Sequence, residues 1–181
     1  MMPEYRRAYI KGGTFFFTVV TNGRHPIFNE KSAVDLLRTS FRRVMRLHPF
    51  ILDAIVVLPD HLHCIWILPE GDSDFSTRWR LIKSDFTRNY LAALAGEISN
   101  SRRMKKERGI WQRRFWEHMI REEADLNTHR DYLHYNPVKH GLIDSPAKWE
   151  YSSFNSFVSK GIYPADWGDA PRKELLEMEL E

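Results

Sequence analysis

The chain predicts an α+β fold, an antiparallel sheet of about four strands with helices packed on one of its faces. Three observations carry that expectation. Apolar runs rich in β-branched and aromatic residues alternate with stretches of three- and four-residue hydrophobic spacing. Their order is strand, helix, strand, strand, helix, strand, helix, which suits a layered sandwich. The 181 residues, 43% hydrophobic and 13% aromatic, supply one sizeable core and too little chain for two full domains to be expected.

Each element has a local reason. Thr14 to Thr21 is β-branched and aromatic and is entered through Gly12 and Gly13, so it reads as a strand. From Asn29 to Leu47, residues Val34, Leu37, Phe41, Val44 and Met45 mark an amphipathic helix that Asn29 would cap. His48-Pro49 ends it. Phe50 to Leu58 gives a second strand, Pro59-Asp60 a break, and His61 to Leu68 a third. A turn-rich loop from Pro69 to Asp74 precedes a second helix, about Phe75 to Ala95, with Ser73 or Asp74 as its cap. Residues 96–109 lack periodicity, hold five basic side chains and read as a mobile basic loop. A fourth strand falls within Ile110 to Ile120. A third helix begins at Arg121 and is expected to stop at Asn136-Pro137. Beyond it lies a tail with aromatic anchors, including Trp149, Tyr151, Phe154 and Trp167.

Charge and cysteine content narrow the function. There are 27 Lys and Arg against 24 Asp and Glu, a formal charge of +3. Residues 173–181 are acidic, so the body before them is more basic than the total and favours a polyanionic partner. Cys64 is the single cysteine, which excludes an internal disulfide and a Cys-rich zinc site. Its alternation with Leu62 and Trp66 reads as packing. The N-terminus carries no apolar signal segment and no run approaches the ~20 apolar residues of a membrane span, so the cytoplasm is the expected address.

His61 and His63 are the first candidates for chemistry. In a strand, residues two apart share a face, their Cα atoms roughly 6.5–7 Å apart, so two imidazoles can converge on one metal. A hydrogen-bonded core pair is the competing reading. Tyr132 and Asn136 lie one helical turn apart on one face, with His129 near it. A tyrosine can attack an electrophile as phenolate, and an Asn carbonyl oxygen suits a hard divalent cation. Against this, Tyr132 could be a packing residue with a bonded hydroxyl, and Asn136 could simply end the helix.

Five segments, Glu4–Gly13 (EYRRAYIKGG), Val57–Cys64 (VLPDHLHC), Phe75–Arg80 (FSTRWR), Gly109–His118 (GIWQRRFWEH) and Asp131–Gly141 (DYLHYNPVKHG), closely resemble those of the REP-associated tyrosine transposases. These are bacterial relatives of the single-tyrosine HUH insertion-sequence transposases. The resemblance runs from the first residues to about Trp167. It implies a ferredoxin-like HUH layer sandwich over residues 1–167 with the catalytic tyrosine on a C-terminal helix; the acidic end, 168–181, lies outside the resemblance and is expected to be helical or disordered. It implies His61 and His63 as the metal-binding pair, Asn136 as the position completing the site, and Tyr132 as the nucleophile, with Tyr135 outside that role.

The implied activity is metal-dependent cleavage and rejoining of single-stranded DNA at repetitive extragenic palindromic hairpins, through a 5′-phosphotyrosine. Mg²⁺ and Mn²⁺ are both acceptable to such ligands. DNA contact is expected from Arg6, Arg7 and Lys11, from Arg78, Arg80, Lys83 and Arg88 on the second helix, and from Arg113 and Arg114 beside Trp111 and Trp116. The resemblance favours a monomer over a homodimer, no membrane partner, and a cytoplasmic, nucleoid-associated address. Two readings compete: a metal-dependent phosphoesterase using water, and a non-catalytic binder of hairpin DNA or RNA. The acidic end is expected either to lie across the DNA groove and suppress binding or to be a solubilising terminus.

Overall fold

The computed structural model describes residues 10–94, 109–170 and 172–180. Arg6 and Arg7, and nearly all of the basic segment 96–109, lie outside the described residues. In chain order the elements are β1 (Thr14–Val20), α1 (Lys31–Leu47), β2 (Ile51–Val57), β3 (His61–Ile67), α2 (Phe75–Leu94), β4 (Trp116–Ile120), α3 (Glu123–Lys139), α4 (Phe154–Ser159) and α5 (Lys173–Leu176).

The four strands form one sheet in the order β2-β3-β1-β4, every pair antiparallel. The strand carrying the two histidines is therefore interior, fixed by ladders on both sides. Its partners set which side chains meet: His63 is opposite Thr18, and Phe16 is opposite Ile65 on one side and His118 on the other.

Helices cover both faces, which corrects the one-face expectation. On the first face Phe15, Phe17, Val19, Leu62, Cys64 and Trp66 pack against Leu37, Phe41 and Val44 of α1 and Phe75, Trp79, Ile82 and Phe86 of α2. On the second, Phe16, Ala54, Val56 and Ile65 pack against Tyr132, Leu133 and Tyr135 of α3 and Phe154 and Phe157 of α4. The physical cause is the unbroken apolar run Phe15-Phe16-Phe17, all fully buried: a strand apolar on both sides needs cover on both.

Edge strand β2 carries a bulge between Leu52 and Ala54. The extra residue, Asp53, lets Leu52 join the first core and Ala54 the second, as a bulge reverses the alternation. The Arg130 guanidinium of α3 donates two hydrogen bonds to the Asp53 carboxylate, at 2.8 and 2.5 Å, pinning the helix to this edge.

The caps divide. Asp74 accepts the Thr77 N–H at 2.9 Å, as a helix-capping side chain should. Asn29 does not cap α1, which starts at Lys31 after Glu30 without a side-chain cap bond. Helix α3 does not stop at Asn136-Pro137. It continues through Pro137 to Lys139, and its last carbonyls are taken by the N–H groups of His140, Gly141 and Leu142. Gly141 adopts φ +66°, the left-handed conformation that ends helices and suits glycine.

The chain end folds back onto the second face. Arg172 lies over the Trp167 ring at 4.4 Å, and Leu175, Met178 and Leu180 join the second core. No helix among the described residues is long and apolar enough to cross a membrane.

Candidate metal and tyrosine site

Strand alternation aims His61 and His63 at α3, and both are buried, 1% and 0% exposed. Their rings are 5.0 Å apart. Each imidazole is held by its Nδ1. His61 Nδ1 donates to the Asp60 carboxylate at 2.6 Å. The Thr18 hydroxyl donates to the Leu180 carbonyl at 2.8 Å, so at 2.9 Å it accepts from His63 Nδ1. Both rings thus carry their proton on Nδ1, and Nε2 is the nitrogen each would offer a metal. Burial works to raise the Asp60 pKa, but its hydrogen bond and charge interaction with His61, with Arg24 adding to both, outweigh this and hold it below the usual carboxylate range.

Tyr132 is 1% exposed and its ring lies 5.5 Å from that of His63 and 6.2 Å from Phe16. One turn later Asn136 is fully buried, and neither atom of its amide has a hydrogen-bond partner among the described residues. A buried amide oxygen left this way suits a cation, since an unsatisfied polar group is costly. One further turn brings His140, whose ring is 5.2 Å from His61. The stripe Tyr132, Asn136, His140 therefore runs along the histidine pair, touching it at both ends. Two imidazole nitrogens and an amide oxygen are a donor set that fits a divalent ion of the Mn²⁺ or Mg²⁺ kind.

Lys139 completes the surroundings. Its ammonium lies 4.8 Å from the centre of the Tyr132 ring and donates to the Met178 carbonyl. Tyr135 points elsewhere: it packs against Trp167, and its hydroxyl accepts the Arg172 N–H at 3.3 Å.

Among the described residues, the basic side chains expected to meet DNA divide between exposed and buried positions. Lys11, Arg80, Arg88, Arg113 and Arg114 are exposed. Lys83, Arg88 and Arg113 line an open groove with Trp111, where the Lys83 ammonium donates to the Gln112 carbonyl at 3.1 Å and lies over the Trp111 and Phe115 rings. Arg78 departs from the expected surface role. It is 4% exposed and bonds the Asp72 carboxylate and the carbonyls of His48, Pro49 and Asp74, which uses four of the five donors of a guanidinium. It staples α2 to the turn after α1.

Thr18, Lys139 and His140 join the site without a local sequence pattern that marks them. Lys139 and His140 follow Tyr132 at helical spacings of seven and eight, a signal lost by ending the helix at Pro137. Thr18 reaches His63 only through non-local strand pairing.

No protein-family model matches the chain. Over 167 residues it is 47% identical to the REP-associated tyrosine transposase of Escherichia coli (strain K12), covering 92% of this chain and 91% of that one. It is 42% identical over 170 residues to a Haemophilus influenzae protein named for the same family, covering 94% and 96%. It is also similar to a solved structure, a REP-associated tyrosine transposase bound to a REP hairpin, at TM-score 0.77 and 46% identity over 94% of this chain and 93% of that one. With the four-stranded antiparallel sheet and its packed helices shared, the chain belongs to the REP-associated tyrosine transposase family.

Proposed function

We propose that the protein cleaves and rejoins single-stranded DNA beside palindromic hairpins, with Tyr132 as the nucleophile and His61, His63 and Asn136 as metal ligands. The observation that carries the reading is the seating of the Tyr132 ring against His63, with the buried Asn136 amide one turn on. The relatives' family name and the hairpin in the solved neighbour support the DNA partner. Histidines and tyrosine come from one chain, which supports action as a monomer. We take residues 1–167 as the catalytic unit and 168–181 as an accessory tail.

The tyrosine oxygen forms a bond to phosphorus, the bond from phosphorus to the 3′ oxygen breaks, the phenol gives up its proton, and the 3′ oxygen leaves as a hydroxyl. A bound divalent ion would offset charge on the phosphate. Asp60 and Thr18 keep the imidazoles in the ligating tautomer. The Lys139 ammonium places positive charge over the ring whose oxygen becomes anionic. The phosphotyrosine retains a phosphodiester bond, so an incoming 3′ hydroxyl reverses the step without ATP.

The test is incubation with a labelled hairpin oligonucleotide and Mn²⁺ or Mg²⁺, followed by denaturing electrophoresis. A protein–DNA adduct is expected from the wild type and from Tyr135→Phe, and none from Tyr132→Phe. Strand cutting without an adduct would point to water as nucleophile. Tight binding without cutting, indifferent to His61→Ala, would point to a binding protein.

A further inference from the structure

We propose that His118, Asp125 and His129 form a second metal site, for a borderline divalent cation such as Zn²⁺, Co²⁺ or Ni²⁺. His118 lies on β4, opposite Phe16, while Asp125 and His129 are one turn apart at the start of α3. The Asp125 carboxylate bridges one nitrogen of each imidazole: His118 Nε2 is 3.0 and 3.2 Å from its two oxygens, and His129 Nδ1 is 2.9 Å from Oδ1. All the candidate ligand atoms lie within 4.8 Å of one another. The imidazole planes are within 14° of parallel, at 4.5 Å.

These spacings are near what an ion requires. Metal–ligand lengths of about 2.0–2.2 Å put neighbouring donors of a tetrahedral ion roughly 3.3–3.6 Å apart, a few tenths beyond the imidazole–carboxylate distances, while the two imidazole nitrogens lie within 4.8 Å of each other and would close on the ion. Two imidazoles and one carboxylate favour Zn²⁺, Co²⁺ or Ni²⁺ over Ca²⁺ and Mg²⁺. The surroundings are also built for the purpose. The Arg121 N–H donates to Asp125 Oδ2 at 3.0 Å, orienting the carboxylate as an outer partner should. The His118 side chain is 33% exposed and that of Asp125 20%, which gives an ion an entry and room for water ligands. Burial outweighs the pull of the Asp125 carbonyl and carboxylate and holds the His129 pKa below its usual value, so its ring is in the neutral, ligating form. Its Nδ1 proton is shared with the Asp125 backbone carbonyl at 2.9 Å. Binding requires the His129 proton to move from Nδ1 to Nε2, and the proton that His118 directs at the carboxylate to move from Nε2 to Nδ1.

The site is distinct from the histidine pair on β3, because Phe16 stands between them, 5.0 Å from His129 and 5.4 Å from His63. An ion here ties β4 to α3 one turn before Tyr132, and so anchors the end of the helix that carries the nucleophile.

The experiment is titration with Co²⁺, followed by visible absorption and calorimetry, on the full-length His61→Ala/His63→Ala protein, with circular dichroism confirming the fold. One equivalent is expected to bind, and addition of His118→Asn with His129→Gln should abolish it. No binding by the double variant, or binding that survives those two further changes, overturns the site. Should the double variant not fold, stoichiometry decides: two equivalents in the wild type falling to one in His118→Asn supports the site, and an unchanged stoichiometry sinks it. Neither readout uses DNA, so failure here leaves the proposed cleavage reaction to its own test.

Discussion

The Thr18 hydroxyl sits between His63 Nδ1 and the Leu180 carbonyl, and its replacement isolates what that contact contributes. Thr18→Val keeps the shape and removes the acceptor. Affinity for Mn²⁺ is expected to fall about 10–100-fold, the usual effect of losing an outer partner of a ligating histidine, with the fold retained. Mn²⁺ binding followed by electron paramagnetic resonance checks this, and unaltered affinity would remove Thr18 from the site. The sequence disclosed His61 and His63 because a strand's period of two is local. It could not disclose Thr18, which is 45 residues away in sequence and arrives by pairing of β1 with β3. Arg78 shows the converse failure: its position among the basic residues of α2 suggested a surface role, and only the carbonyls supplied by the preceding turn show why it is buried.

At the scale of elements, α3 and the chain end act on each other. Met178 holds the Lys139 ammonium and Leu180 holds Thr18, each through a backbone carbonyl, while Tyr132 is buried beneath them. Truncation after Glu177 removes both contacts. Each hydrogen bond has a net value of about 1 kcal/mol, so adduct formation should rise roughly tenfold or more. Unchanged rates of adduct formation in the truncated protein would leave the terminus as a solubilising end. Element types were legible from periodicity, and so were most boundaries to within one or two residues. The exceptions have causes: Pro137 is carried inside a helix whose buried face holds it, and Asp53 is an inserted residue that alternation cannot anticipate. The both-sided cover of the sheet was written in Phe15-Phe16-Phe17, where the absence of alternation is itself the signal.

At the scale of the whole molecule, stability should depend on a histidine away from the proposed chemistry. His134 is fully buried, bonded to Ser153 at 2.9 Å, and burial pushes its pKa from 6.5 down to about 3. The unfolded chain takes up this proton below about 6.5 and the folded one does not until about 3, so stability is lost as the pH falls through that window. The slope approaches about 1.4 kcal/mol per pH unit from this residue. Denaturant titrations from pH 7 to 4 should show a shallower decline in His134→Gln than in the wild type, and parallel curves would refute the assignment.

Pro137 also matters for movement. Having no N–H, it leaves the helix without the rung that would join residue 137 to the Leu133 carbonyl. The ladder is thus interrupted between the turn bearing the phenol and the turn bearing Lys139 and His140. With that one rung missing, the short last turn resists a kink less than it would on an unbroken ladder. Replacing Pro137 with Ala would restore the rung and stiffen the joint.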